Sequence, residues 1–422
     1  MKVLLLNQCF YPDVMATAQQ LNDLAVGLVQ AGHSVTVITS DRGYDDPSRR
    51  FARRETWNGV RIIRISSLAL GKQKRWHRAA NFASFLANCA LRLSLGPRFD
   101  VVVALTSPPL ISFLGALFVR IKGGKFFFWV MDLNPDEAIA AGWLKGDSLA
   151  AKVLSRLLVY SLTNAEKVIA LDQFMKRRIV DKGVSDQRVV VIPPWAHDDA
   201  VRFDEPGRVA FRERHNLEES FVVMYAGNHS PCHPLNTIIE AARSLSSQTE
   251  IVFCFVGGGS EQAKVKRFAA LHKLTNVRCL PYQDFEMLSA SLSAADLHVV
   301  VMGNEFVGIV HPSKLYNILT VGSPFLYIGP ETTHISEIAA SMNGGYRSYT
   351  ATHGDVEAVV KHILEEAKHW SNGTETRVPQ IANTFSKQTL LPRMIKLLED
   401  QVAAETEIPG KSRSASCAPA AR

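Results

Sequence analysis

The chain has 422 residues, 47% of them hydrophobic and 21% charged, with a net charge of +7 and a pI near 9.0. That length exceeds what one ordinary core supports, so two domains are expected, and the modest basic excess suits anionic partners (phosphates, anionic lipid, nucleic acid) without choosing among them. Six cysteines, Cys9, Cys89, Cys232, Cys254, Cys279 and Cys417, include no C-x-x-C pair; they indicate neither a zinc motif nor a disulfide framework, and fit a reduced cytosolic setting.

The opening MKVLLLNQCFYPD has a short apolar run and no small-residue cleavage site, so it does not read as a signal peptide. No apolar run reaches the roughly 18–20 residues of a membrane span. Residues 81–95 and 101–119 come closest, and arginine or Pro108-Pro109 interrupts them. Strands are expected at 3–6, 34–39, 60–65, 101–105, 126–130, 168–171 and 189–192, with helical stretches between. Short continuous apolar strands alternating with helices predict a parallel sheet covered on both faces. A polar, charged stretch, 197–219, reads as a linker. The alternation then restarts, with strands at 221–226, 251–256, 277–280, 297–301 and 325–328 and helices near 235–245, 261–272, 285–294 and 313–321. The fold class is therefore α/β, two doubly wound Rossmann-like units facing a cleft, where ligands sit beyond the carboxyl ends of the strands. The last residues, 404–422, are expected to be disordered.

Several stretches can carry chemistry. The loop after the first strand lacks the G-x-G-x-x-G of a dinucleotide site; Tyr11-Pro12 and the small residues 16–18 leave room for a ligand, or form an ordinary strand–helix loop. KQKRWHR at 72–78, ahead of an apolar helix, suits anionic lipid or is a solvated loop. Asp132 and Glu137 end a first-unit strand: Asp132 either accepts a proton from an acceptor hydroxyl or caps a helix. The second unit opens with YAGNHSPCHP, where Gly227, Asn228, His229 and His233 suit a diphosphate; a metal on these histidines and Cys232 matches no zinc spacing. The triplet Gly257-Gly258-Gly259 permits close approach of a ligand or is a plain turn. In GNEFVGIVHPSKLYNILTVGSP, 303–324, a strand leads into a loop and then a helix start bearing His311, Ser313 and Lys314. Free backbone donors beside a lysine make an anion site.

Taken together, LLLNQCFYPDVMATAQQ, TSPPL, DLNPDEAIAAG, VIPPWAHDD, YAGN and HPSKLYNILTVGSP resemble, in order and spacing, the retaining GT-B-fold glycosyltransferases of family 4, in the branch that builds bacterial surface polysaccharides. The resemblance covers residue 1 to about 400. It implies an acceptor-binding domain at 1–197, a nucleotide-sugar domain at 198–385 and a helix at 386–403 returning to the first domain. It further implies transfer of a sugar from a nucleoside diphosphate sugar to a saccharide or lipid-linked acceptor, in the cytoplasm or at the inner face of the cell membrane. Gly227, Asn228, His229, His233, Gly258, His311, Ser313, Lys314 and Asn317 fall on the donor side, and Tyr11, Thr17, Asp132 and Glu137 on the acceptor side; Asp132 and Lys314 are the catalytic candidates. No cofactor, no metal and no nucleic-acid partner is expected. The chain departs from the family's pattern where two glutamates eight positions apart are common: Ile309 and Asn317 stand there. A nucleotide-sugar 2-epimerase and a non-catalytic binding subunit of the same fold are the alternative expectations.

Overall fold

A computed structural model describes residues 1–43, 46–68, 70, 75–342, 345–371 and 378–406. Residues 72–74 of the basic stretch and 407–422 of the expected tail lie outside them. The first domain holds β1 (Lys2–Leu6), β2 (Ser34–Ser40), β3 (Arg54–Trp57), β4 (Val60–Ile65), β5 (Val101–Ala104), β6 (Lys125–Trp129), β7 (Lys167–Ala170) and β8 (Val189–Val191). They form one sheet in the order β3-β4-β2-β1-β5-β6-β7-β8. Each pairing is parallel apart from the β3–β4 hairpin. The central strands are apolar at successive positions because helices cover both faces; Val3 to Leu6 and Val101 to Ala104 are fully buried.

The second sheet contains β9 (Phe221–Asn228), β10 (Ile251–Gly258), β11 (Val277–Leu280), β12 (Leu297–Val301), β13 (Phe325–Ile328) and β14 (Ser348–Ala351), all parallel, in the order β11-β10-β9-β12-β13-β14. The sequence reading missed β3 and β14. Both are short edge strands with exposed polar positions, so they lack the apolar run that marks the others. Asn58 and Gly59, at φ 47° and 79°, make the hairpin turn that leads from β3 into β4.

The stretch expected as a linker contains a helix, Glu205–His215, and this is a correction. Asp204 caps it by accepting from the Gly207 N–H (3.0 Å). Phe211 is buried, and Arg208 and Arg212 both pair with Asp296 (2.5 and 3.1 Å). Its charges face acids of the second domain as well as water, which composition alone does not reveal. The last helix, Lys387–Thr406, lies on the first-domain helix Ala16–Gln30; a Cβ at Gly27 would come within 3.0 Å of Ile395 and 3.1 Å of Leu391. Among the described residues no helix is long and apolar enough to cross a membrane.

Candidate active site

The carboxyl ends of the two sheets bring the loops around Lys314 and Cys232 of the second domain against the first. Lys314 opens the helix Lys314–Val321. Its ammonium nitrogen is buried, has no hydrogen-bond partner and lies 3.5 Å from the centroid of the Tyr225 ring. The ring face offsets part of the desolvation, yet burial still pushes the Lys314 pKa well below its ordinary value. A buried cation with no counter-ion is costly. Gly227, at φ +120°, turns beside it: a Cβ there would lie 3.4 Å from Lys314 Cε and Nζ. The missing side chain keeps the turn open next to the charge.

Two imidazoles share this environment. His229 donates Nδ1–H to the Gly227 carbonyl (2.8 Å), and His233 donates Nδ1–H to the Val301 carbonyl (2.7 Å). Carbonyls only accept, so each neutral ring carries its proton on Nδ1 and a lone pair on Nε2. The buried Nε2 of His229 has no partner. Burial, then the Lys314 charge, holds His229 at about 4 and His233 at about 3, so both are neutral at physiological pH. Asn228 accepts the Tyr225 hydroxyl at its carbonyl (2.9 Å). The Gly258 carbonyl accepts the His229 N–H (2.9 Å) and the Tyr282 hydroxyl (3.2 Å). Ser313, next to Lys314, makes no capping bond.

On the first-domain side, Asp132 follows β6 and Glu137 lies in the short helix Asp136–Ala140. Burial, reinforced by Glu137, pushes Asp132 up to about 8. Burial also raises Glu137, against hydrogen bonds from Asn134 (2.9 Å) and from the Cys232 thiol (3.7 Å). The pair therefore retains a proton at neutral pH, and Asp132 is not a free carboxylate base there. Cys232 belongs to the donor-side loop of the second domain; burial and Glu137 push its thiol up to about 12, so it stays a proton donor. The acid pair and the donor loop thus meet across the cleft. Tyr11 stacks on Trp57 (4.2 Å between centroids), and Thr17 is half-buried in the first turn of helix Ala16–Gln30. Neither is bonded to the acid pair.

His311 and Asn317 bond to residues outside the group around Lys314. His311 donates Nδ1–H to Asp172 Oδ2 (2.7 Å), and its Nε2 meets the Tyr316 hydroxyl (2.6 Å). Asn317 accepts the His197 N–H (3.0 Å). Around them the loop before Pro312 docks on the first domain. The Leu133 N–H donates to Ile309 (2.9 Å), Arg178 Nε–H donates to Val307 (2.6 Å), and Gly308, at φ +69°, passes so close to Phe174 that a Cβ would sit 2.7 Å from its backbone. His334 Nδ1 also reaches Asp172 Oδ2 (3.2 Å). Asp172, His311 and His334 cluster as metal ligands can. Their rings, however, stack at 3.9 Å and 13°. Lone pairs lying in two near-parallel planes cannot converge on one ion at a bonding distance of about 2 Å, so the cluster is an interdomain hydrogen-bonded contact.

Reading the sequence missed Tyr225, Asp172 and His334, and weighed Cys232 only as a metal ligand. Tyr225 stands two residues before the Gly227 turn, which is a local signal; Asp172 and His334 come together only through the domain interface.

Two family models match the chain: a glycosyl transferase 4-like domain over residues 16–195 and glycosyl transferases group 1 over residues 208–327. A putative colanic acid biosynthesis glycosyl transferase, WcaI of Escherichia coli K12, is 25% identical over 413 residues, covering 94% of this chain and 99% of its own. Sucrose-phosphate synthase from Thermosynechococcus elongatus superposes with a TM-score of 0.72 at 16% identity, over 96% of this chain and 100% of its own. HepE of Anabaena, solved in complex with UDP-glucose, superposes with a TM-score of 0.68 at 14% identity, over 96% and 100%.

Proposed function

Because the chain belongs to the family 4 glycosyltransferases of the GT-B fold, we propose that it moves a sugar from a nucleoside diphosphate sugar to an acceptor hydroxyl with retention at the anomeric carbon. The observation that carries this reading is the buried, unpartnered Lys314 ammonium beside the open Gly227 turn. A diphosphate laid along that turn supplies the missing counter-ion. Its charge grows as the bond from the anomeric carbon to phosphate oxygen breaks, so Lys314 binds the transition state more tightly than the ground state. The acceptor oxygen bonds to the anomeric carbon on the same face, and its proton passes to the departing phosphate oxygen. The Asp132–Glu137 pair, proton-bearing at neutral pH, orients the acceptor hydroxyl.

The acceptor is a lipid-linked or polysaccharide precursor of a cell-surface glycan, at the cytoplasmic face of the membrane. The likeness to a colanic acid biosynthesis enzyme supports the glycan, and the exposed Trp76 at the start of helix Arg75–Ser94 supports the lipid surface. A panel of nucleotide sugars tested for thermal stabilisation checks the donor. A ligand at a hundred times its Kd adds about 2.7 kcal/mol. Stabilisation by one nucleoside diphosphate sugar, followed by transfer to a prenyl-linked saccharide, is expected. Stabilisation by none rejects the donor assignment, and a new epimer formed without acceptor points to an epimerase.

A further inference from the structure

The amino-terminal ends of β1, β2 and β4, remote from the cleft, share a cavity of about 200 Å³ with the end of helix Arg75–Ser94 and the segment after it. Arg61, Arg92 and Arg98 line it, above an apolar lining that includes Ile63, Phe99 and Phe118. None of the three guanidiniums makes a hydrogen bond or ion pair with a described residue. The acid beside Phe99, Asp100, is engaged instead by the Lys2 backbone N–H (2.7 Å). With Lys2, also in the lining, the three arginines give the cavity a cationic rim, on which Arg61 and Arg98 are exposed and Arg92 is half-buried; a bound anion lowers the energy of that rim. Guanidinium matches phosphate oxygens bidentately. The apolar lining, in contrast, offers nothing to a fully hydrated ion and suits methylene groups.

The surroundings favour the same ligand. Leu91 and Leu95, 60% and 76% exposed, flank the lining residues Arg92 and Gly96 in sequence. Ile121, 70% exposed, is on the helix Ile111–Lys122 that supplies Phe118. Exposed aliphatic side chains beside unneutralised arginines are what an anionic lipid surface binds.

We propose that this cavity binds an anionic amphiphile, its phosphate on the arginines and its first chain carbons on the apolar lining. The site is separate from the nucleotide-sugar cleft and stands whether or not Trp76 and Lys314 act as described above. The ligand is a lipid of the bilayer or a soluble alkyl phosphate, and two probes distinguish them. Decyl phosphate below its micellar concentration should raise the melting temperature of the full chain at concentrations at least tenfold lower than inorganic phosphate. Phosphatidylglycerol vesicles should sediment the protein and phosphatidylcholine vesicles should not. Arg92→Glu combined with Arg98→Glu should weaken both effects about tenfold or more, with unliganded melting within a few degrees of wild type. Binding of decyl phosphate without vesicles keeps the cavity and assigns it a soluble amphiphile. Equal potency of inorganic phosphate, or wild-type binding by the double variant, overturns the proposal.

Discussion

Lys314 is the residue on which the proposed donor site turns. Removing its charge leaves the diphosphate with neutral imidazoles and backbone donors. Lys314→Ala should therefore lower turnover ten- to a thousandfold, on the order seen when one charge stabiliser is lost, and abolish donor-induced stabilisation. Wild-type turnover in that variant removes Lys314 from the site. Asp132 makes a different prediction, because burial and Glu137 push it up to about 8. A group that orients the acceptor in its protonated form should give kcat/KM a change between pH 7 and 9, as the proton leaves. Asp132→Asn, which keeps a hydrogen-bonding side chain and does not titrate, should flatten that limb while retaining measurable turnover. A limb unchanged in Asp132→Asn assigns it to another group. At this scale the sequence pointed to Gly227 and Asp132 through their places at strand ends and to Lys314 through its place at a helix start. It could not separate His311 from His229 and His233, because three histidines in polar loops look alike until their neighbours are known.

The glycine triplet at the end of β10 carries an element-scale distinction that its spelling hides. Gly259 adopts φ +137°, and a Cβ there would meet the His229 carbonyl at 2.3 Å; at Gly257, φ +133°, it would meet the Gly227 carbonyl at 2.1 Å. Gly258 is not in the left-handed region, and its nearest neighbour is the edge of the Tyr282 ring at 3.1 Å. Gly259→Ala should thus cost on the order of 2–3 kcal/mol, and Gly258→Ala less than about 1 kcal/mol, as read by chemical denaturation of each variant. Equal losses would show that the backbone of this turn relaxes freely. The two outer glycines let the β9 and β10 loops touch, and this contact shapes the wall beside Lys314. Strands such as Leu297–Val301 were legible because a buried parallel strand is a continuous apolar run. The helix Glu205–His215 was not, because its charged residues pair within the protein.

Across the whole molecule, burial of titratable groups couples stability to pH. His229, His233, His298 and His334 are all held well below 6.5 by burial, so below that pH the unfolded chain binds protons that the native one does not. Their contribution is lost as pH falls from about 6.5 towards 4. Asp132 and Glu137, raised by burial, act with the opposite sign, binding protons in the native chain. The lowered histidines outnumber the two raised carboxyls, so the net effect is a stability that falls as pH drops from about 6.5 towards 4. Asp172, which burial would raise but His311 and His334 hold at about 2, adds its loss only below about pH 4. Urea unfolding between pH 7 and 5 should show stability falling with acid; a flat or rising profile contradicts the buried neutral histidines. Apolar periodicity, glycine and proline act locally, so two doubly wound α/β units and the positions of most strands were legible in the sequence. Which polar residues come together was not legible, because it depends on packing between elements and domains. The Lys314–Tyr225 contact, the Glu137–Cys232 bond and the His311–Asp172–His334 contact join positions far apart in the chain, and their partners are set by how elements and domains pack.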